Sequence, residues 1–127
     1  MAERKIETPN KKELLFGAVW LWAGSQGIDE ITNDNDYWFC SDITFKKNNK
    51  TYAFIIEVER SFEELKTLTK KAALNCDYIY VVTDDNAKRR ELIKVIPSAC
   101  GILCYGNSFG LGNIYQILKE ARLCFGK

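Results

Sequence analysis

Two apolar runs constrain this chain most: Tyr52-Ala53-Phe54-Ile55-Ile56 and Tyr78-Ile79-Tyr80-Val81-Val82. Each has the length of a strand and is rich in aromatic and β-branched residues. Neither shows the apolar–polar alternation of a strand with one wet face, so both read as strands buried on two sides. Between them lies Ser61-Phe62-Glu63-Glu64, a capping box that fixes a helix start: Ser and Glu satisfy orphan N–H groups reciprocally. Phe62, Leu65, Leu68, Ala72 and Ala73 carry that helix to about Asn75. Strand, helix and strand in this order predict a right-handed crossover between parallel strands.

The rest of the chain builds around this unit. Thr8 caps an expected first helix with Pro9 at its first position, running to about Ala23 with Gly24 as a left-handed stop. Leu14, Leu15, Ala18, Val19, Leu21 and Trp22 give it a wide apolar face; Trp20 is either exposed or at a contact. A loop over Gly24 to Asp36 follows, with Ile28 and Ile31 offering a short strand. Tyr37 to Lys46 reads as a strand, Lys47-Asn48-Asn49-Lys50 as a hairpin turn and Thr51 to Glu59 as its partner. After Tyr78 to Thr83, Asp84-Asp85-Asn86 caps a basic helix over Ala87 to Ile96, which Pro97 closes. Gly101 to Tyr105 is a short strand, Gly106 to Gly112 a loop, and Asn113 to Cys124 an amphipathic last helix. The expectation is one α/β domain over residues 1–127: a mixed sheet with helices on both faces.

Composition narrows the chemistry. There is no histidine, so a Ser-His-Asp triad, a Cys-His pair and a His-based zinc site are all excluded within one chain. The five cysteines, Cys40, Cys76, Cys100, Cys104 and Cys124, form no CxxC pair and mostly adjoin apolar residues, as small buried hydrophobes do. No apolar stretch reaches membrane-spanning length and no signal-peptide layout begins the chain, so a soluble, cytoplasmic protein is expected. A net charge of +1 gives no global field to attract nucleic acid, which leaves a local patch.

Three carboxylates carry the functional expectation. Asp42 stands in an otherwise apolar strand, and Glu57 and Glu59 end the next one across a tight hairpin. Residues i and i+2 of a strand project to one face, so Glu57 and Glu59 point together, and hairpin pairing brings Asp42 towards them. Converging carboxylates repel unless a cation neutralises them. All-oxygen ligands favour Mg²⁺, Mn²⁺ or Ca²⁺ over zinc, and such an ion polarises a phosphate and activates water.

This pattern resembles the core of the PD-(D/E)XK, or restriction-endonuclease-like, nuclease superfamily: Ser41-Asp42, a hairpin, then Glu57-Val58-Glu59, a helix and a strand. The resemblance covers roughly Thr8 to Thr83 and implies an αβββαβ core, leaving a C-terminal α-β-α extension. It implies Mg²⁺- or Mn²⁺-dependent hydrolysis of DNA, with Asp42 and Glu57 as metal ligands and Glu13 of the first helix as a third. Ser41 stands where the family usually has Pro, and Glu59 where it has the lysine that stabilises developing charge. Some restriction enzymes of the superfamily carry Glu there and remain active; others move the lysine to the following helix. Lys66, Lys70 and Lys71 are available for that, and Lys70 is the expected substitute, with Glu59 as ligand or water-orienting group.

Plainer readings stand beside these. Glu57 and Glu59 at a solvated strand end, paired with Arg60 or Lys46, need no metal. Lys88-Arg89-Arg90, with Lys94, is either a solvated helix face or a contact for DNA phosphates. A catalytically inactive scaffold of this shape, binding DNA or a protein partner, is the alternative to the enzyme. At this size sequence-specific cutting requires a homodimer or a partner.

Overall fold

The computed structural model describes residues 11–28, 30–31, 40–58, 60–108 and 111–124. In chain order the elements are α1 (Lys11–Ser25), β1 (Glu30–Ile31), β2 (Ile43–Lys47), β3 (Lys50–Ile56), α2 (Phe62–Asn75) and β4 (Tyr78–Thr83). A 3-10 turn (Asn86–Lys88), α3 (Arg89–Val95), β5 (Gly101–Ser108) and β6 (Leu111–Lys119) complete the fold. The strands form one six-stranded sheet in the order β1-β2-β3-β4-β5-β6. β1 and β3 each pair antiparallel with β2; β3, β4 and β5 run parallel, and β6 returns antiparallel. The expected mixed α/β sheet is the observed one.

The two central runs do what an unbroken apolar stretch should. Phe54, Ile56, Tyr80 and Val82 face one side and pack with Leu15, Ala18, Val19 and Ala23 of α1. Ala53, Ile55, Ile79 and Val81 face the other and pack with Leu65 and Ala72 of α2 and Leu92 of α3. Helices therefore cover both faces. Burying each such large apolar side chain stabilises the fold by about 1.5–3 kcal/mol. Gly101, at the start of β5, has no room for a side chain: a Cβ there would lie 2.6 Å from both the Tyr80 ring and the Ala121 backbone nitrogen.

Local signals set the turns. Asn48 and Asn49 adopt φ of 52° and 64° and close the β2–β3 hairpin with Lys47 opposite Lys50. Ser61 caps α2 by accepting from the Glu64 N–H at 3.1 Å. Asp85 caps the 3-10 turn by accepting from the Ala87 N–H at 2.9 Å. Among the described residues no helix is long and apolar enough to cross a membrane.

Several boundaries differ from expectation. α1 passes Gly24 and ends at Ser25. Ile28 donates to the Ala23 carbonyl at 2.8 Å, Gly27 donates to Gly24 at 3.1 Å, and Gly27 takes φ of 74°. This is a Schellman closure anchored by buried Ile28, so the left-handed glycine is Gly27. The Thr8 cap and Pro9 lie outside the described residues, as do Tyr37, Trp38 and Phe39 of the expected strand. Among the described residues that strand begins at Ile43; just before it the Asp42 N–H donates to the Phe54 carbonyl at 3.0 Å and the Ser41 hydroxyl donates to the Ile43 carbonyl at 2.7 Å. The basic helix opens as a 3-10 turn, with only Arg89–Val95 α-helical.

The largest correction is at the C-terminus. Asn113 to Cys124 is not a helix, and most of the loop expected over Gly106 to Gly112 is strand: β5 extends to Ser108, and β6 pairs back from Leu111 to Lys119. The extension after β4 is α-β-β rather than α-β-α. Its apolar spacing fits either structure, since register shifts leave Tyr115 and Leu118 as extra residues on β6. Ile114 then packs on the α1 side and Leu118 on the α2–α3 side. Pairing with the exposed edge of β5 outweighs the helical period.

Candidate functional site

β3 and β4 are parallel, so their C-terminal ends meet at one edge of the sheet, the edge where open α/β sheets place ligands. Glu57 follows β3, Thr83 ends β4, Asp42 precedes antiparallel β2, and Arg60 precedes α2. The pairing of β2 with β3 therefore carries Asp42 to the end of the sheet that holds Glu57, as the hairpin argument requires.

The Asp42 carboxylate is fastened to the end of β3. Its Oδ2 accepts from the Ile56 N–H at 2.8 Å. The Arg60 guanidinium grips both oxygens, Nη1 on Oδ2 and Nη2 on Oδ1, the latter at 3.0 Å. Arg60 Nη1 also donates to the Ile56 carbonyl at 2.8 Å. The Asp42 side chain is only 9% exposed. The hydrogen bond that Arg60 donates to Asp42 raises the Arg60 pKa above its ordinary value, against the opposing effect of burial.

Glu57 is buried, at 3% exposure, so the solvated strand-end reading fails for it. Nor does it pair with Arg60 or Lys46. Lys88 Nζ donates to its Oε1 at 2.6 Å, and the Thr83 hydroxyl approaches Oε2 at 3.5 Å. Thr83 Oγ1 in turn accepts from the Asp85 N–H at 3.3 Å, tying the 3-10 turn to the same carboxylate. The hydrogen bond to Glu57 raises the Lys88 pKa above its ordinary value.

Among the other expected residues, Glu59 and the side chain of Glu13 lie outside the described residues. Lys70 is exposed on α2. The basic stripe divides: Lys88 turns inward to Glu57, Arg89 donates from Nε to the Leu118 carbonyl at 2.8 Å, and Arg90 and Lys94 are exposed. Sequence reasoning missed Arg60 as the partner of Asp42 and Lys88 as the partner of Glu57. Arg60's only signal was its place between the acidic strand end and the capping box; Lys88's was its place just after an acidic turn.

Asp42 and Glu57 are oxygen donors of the type that suits Mg²⁺ or Mn²⁺. Their charges are nonetheless balanced within the chain, by Arg60 and Lys88. Among the described residues no group of three or more Cys, Asp or Glu side chains is disposed to hold a metal ion. A metal ion at these carboxylates would have to exchange with a cation already there. One groove is lined by Arg60 with Glu63, Glu64, Thr67 and Leu68, and another by Asn86, Ala87, Arg89, Arg90 and Glu91.

Comparison of the chain with protein-family models, curated proteins and solved structures finds no match.

Proposed function

We propose that this protein is a metal-dependent phosphodiesterase acting on DNA, a PD-(D/E)XK nuclease variant with Glu-x-Glu in place of Glu-x-Lys. One observation carries the reading. Asp42 is bonded to the backbone of Ile56, the residue before Glu57, at the C-terminal edge of β3 within an α-β-β-β-α-β order. The two carboxylates that the superfamily's pattern assigns to the metal thus come from adjoining strand ends.

Asp42 and Glu57 would hold Mg²⁺ or Mn²⁺, with Glu13 and Glu59 as further candidates; the ion polarises the phosphate and activates water. Arg60 must release at least one oxygen of Asp42 for this, and its 20% exposure leaves it a path outward. Thr83 keeps Glu57 oriented during the exchange. Exposed Arg90, with Lys94 beyond it, suits contact with the DNA backbone. The same reading takes the protein as cytoplasmic and gives it a homodimer or partner wherever cutting is sequence-specific.

Plasmid and single-stranded DNA incubated with Mg²⁺ or Mn²⁺ provide the test. Cleavage by the wild type that disappears in Asp42→Ala is the expected result; equal backgrounds from the two proteins overturn it.

A second reading rests on the counter-ions. With Arg60 on Asp42 and Lys88 on Glu57, this edge needs no metal for charge balance. The protein is then an inactive nuclease-like scaffold for DNA or a protein partner. Calorimetry with Mn²⁺ separates the two: heat that vanishes in Glu57→Ala supports the enzyme, and no heat at millimolar metal supports the scaffold.

A further inference from the structure

Position 59 is glutamate, so the strand end lacks the positive charge that a Glu-x-Lys pair brings to the scissile phosphate. We propose that Lys88 supplies it, its ammonium contacting the phosphate and the attacking water from the turn after β4. This inference rests on the nuclease reading above and names a residue of the same site.

The ammonium is already at the right carboxylate, 2.6 Å from Glu57 Oε1. Its partner is 3% exposed while the lysine side chain is 36% exposed, so Lys88 spans from the buried acid to solvent, where a phosphate arrives. An ammonium carries three donors, and a single bond to Glu57 leaves two for phosphate oxygens. The turn that presents it is fixed to the site: Lys88 N–H donates to the Asp85 carbonyl at 3.0 Å, and Thr83 bridges Asp85 to Glu57. A groove lined by Asn86, Ala87, Arg89, Arg90 and Glu91 lies on the same turn and the start of α3.

The other cations are worse placed. Arg60 is tied to the Asp42 carboxylate and to the Ile56 carbonyl, and a metal that takes one Asp42 oxygen leaves the other and the carbonyl to hold it. Lys70 is exposed on α2, which begins at the site and leads to β4's opposite end; eight residues beyond Phe62, it lies about 12 Å down the helix axis.

The reaction is hydrolysis. A water oxygen bonds to phosphorus, the bond from phosphorus to the leaving sugar oxygen breaks, and the proton lost by the water balances the one taken by that oxygen. Were Glu57 to hold a divalent cation, Lys88 would turn its protons to the non-bridging oxygens and stabilise the charge that develops there.

The test compares wild type, Lys88→Met, Lys88→Gln and Lys70→Met by single-turnover DNA cleavage with Mg²⁺ and by Mn²⁺ calorimetry. Lys88→Gln keeps a donor on buried Glu57 and preserves the fold if Lys88→Met does not. Expected is a loss of about 100-fold in cleavage for the Lys88 variants, with Mn²⁺ affinity unchanged or tighter because a competing cation is gone. Cleavage by folded Lys88 variants within about threefold of wild type overturns the proposal and leaves the nuclease reading intact. So does a loss confined to Lys70→Met, or a parallel loss of cleavage and Mn²⁺ heat in Lys88→Gln, which marks a structural role. Wild type indistinguishable from Asp42→Ala overturns both together.

Discussion

The Asp42–Arg60 and Glu57–Lys88 pairs lie at the same end of the sheet and are built differently. The first is a closed joint: a planar fork on two oxygens, a backbone N–H on one of them, and a tie from Arg60 to the Ile56 carbonyl. It holds the entry to β2 against the entry to α2. The second joins one carboxylate oxygen to one ammonium, from a side chain that is 36% exposed. A fork on a carboxylate is hard to displace, whereas a point charge on a flexible stem exchanges easily. The pair that locks the fold and the pair with freedom to act are therefore different, although both are an acid beside a base.

Removing Asp42 should have the largest effect. Asp42→Ala strands the Arg60 charge and the Ile56 N–H, and should cost about 3–5 kcal/mol in urea unfolding. A cost below about 1 kcal/mol would mean that the joint does not hold the fold.

Alkaline pH should come next, and it separates the pairs from the core. Burial pushes the Cys76 and Cys100 thiols up to about 12 from 9.0. A raised folded pKa gives stability that is complete below pH 9 and lost as pH climbs towards 12. At pH 10 the loss should be about 1.4 kcal/mol per thiol. Arg60 and Lys88 are raised above their ordinary values and stay charged at that pH, so both pairs persist. A stability profile flat to pH 10.5, or one unchanged in Cys76→Ala, contradicts this.

Glu57→Gln should cost less, about 1–2 kcal/mol, because the amide keeps a hydrogen bond while losing the charge. If it matches Asp42→Ala in unfolding experiments, the contrast between the pairs collapses. Salt should give the smallest effect. Raising NaCl from 0.1 to 1 M shortens the screening length from about 10 Å to about 3 Å. The half-open Glu57–Lys88 pair should lose a few tenths of a kcal/mol and the enclosed Asp42–Arg60 pair less, measured as the salt dependence of each variant's stability change. The reverse order would argue that Arg60 is the mobile partner.

Local chemistry was legible. The Ser61 cap, the Asn48-Asn49 turn and β4 follow from a few neighbouring residues and stand where the sequence puts them, whereas β3 ends at Ile56, short of the expected Glu59, and Asp85 caps a 3-10 turn in place of the expected helix. The presence of Asp42 and Glu57 at one sheet edge was legible too, since a hairpin of known turn sets approximate register. Their counter-ions were not. Arg60 lies 18 residues from Asp42 and Lys88 lies 31 from Glu57, and no local pattern says which base meets which acid. Cys100, beside Ala99, was read as a buried apolar side chain and is fully buried; Cys76, between Asn75 and Asp77, lacked that signal and is fully buried too.

Sequence alone settled the layered α/β architecture, because two unbroken apolar strands joined by a capped helix must be covered on both faces. Tertiary structure decided the C-terminal hairpin and the pairing of the charges. Residues 111–119 carry a spacing that suits helix and strand alike, and the unfilled edge of β5 resolves it. The carboxylates needed cations, and Lys88 and Arg60 became those cations only when β4 and α2 brought them to the end of β3. Short-range propensity is written in neighbouring residues; the partner of a buried charge depends on distances that exist only once the sheet has formed.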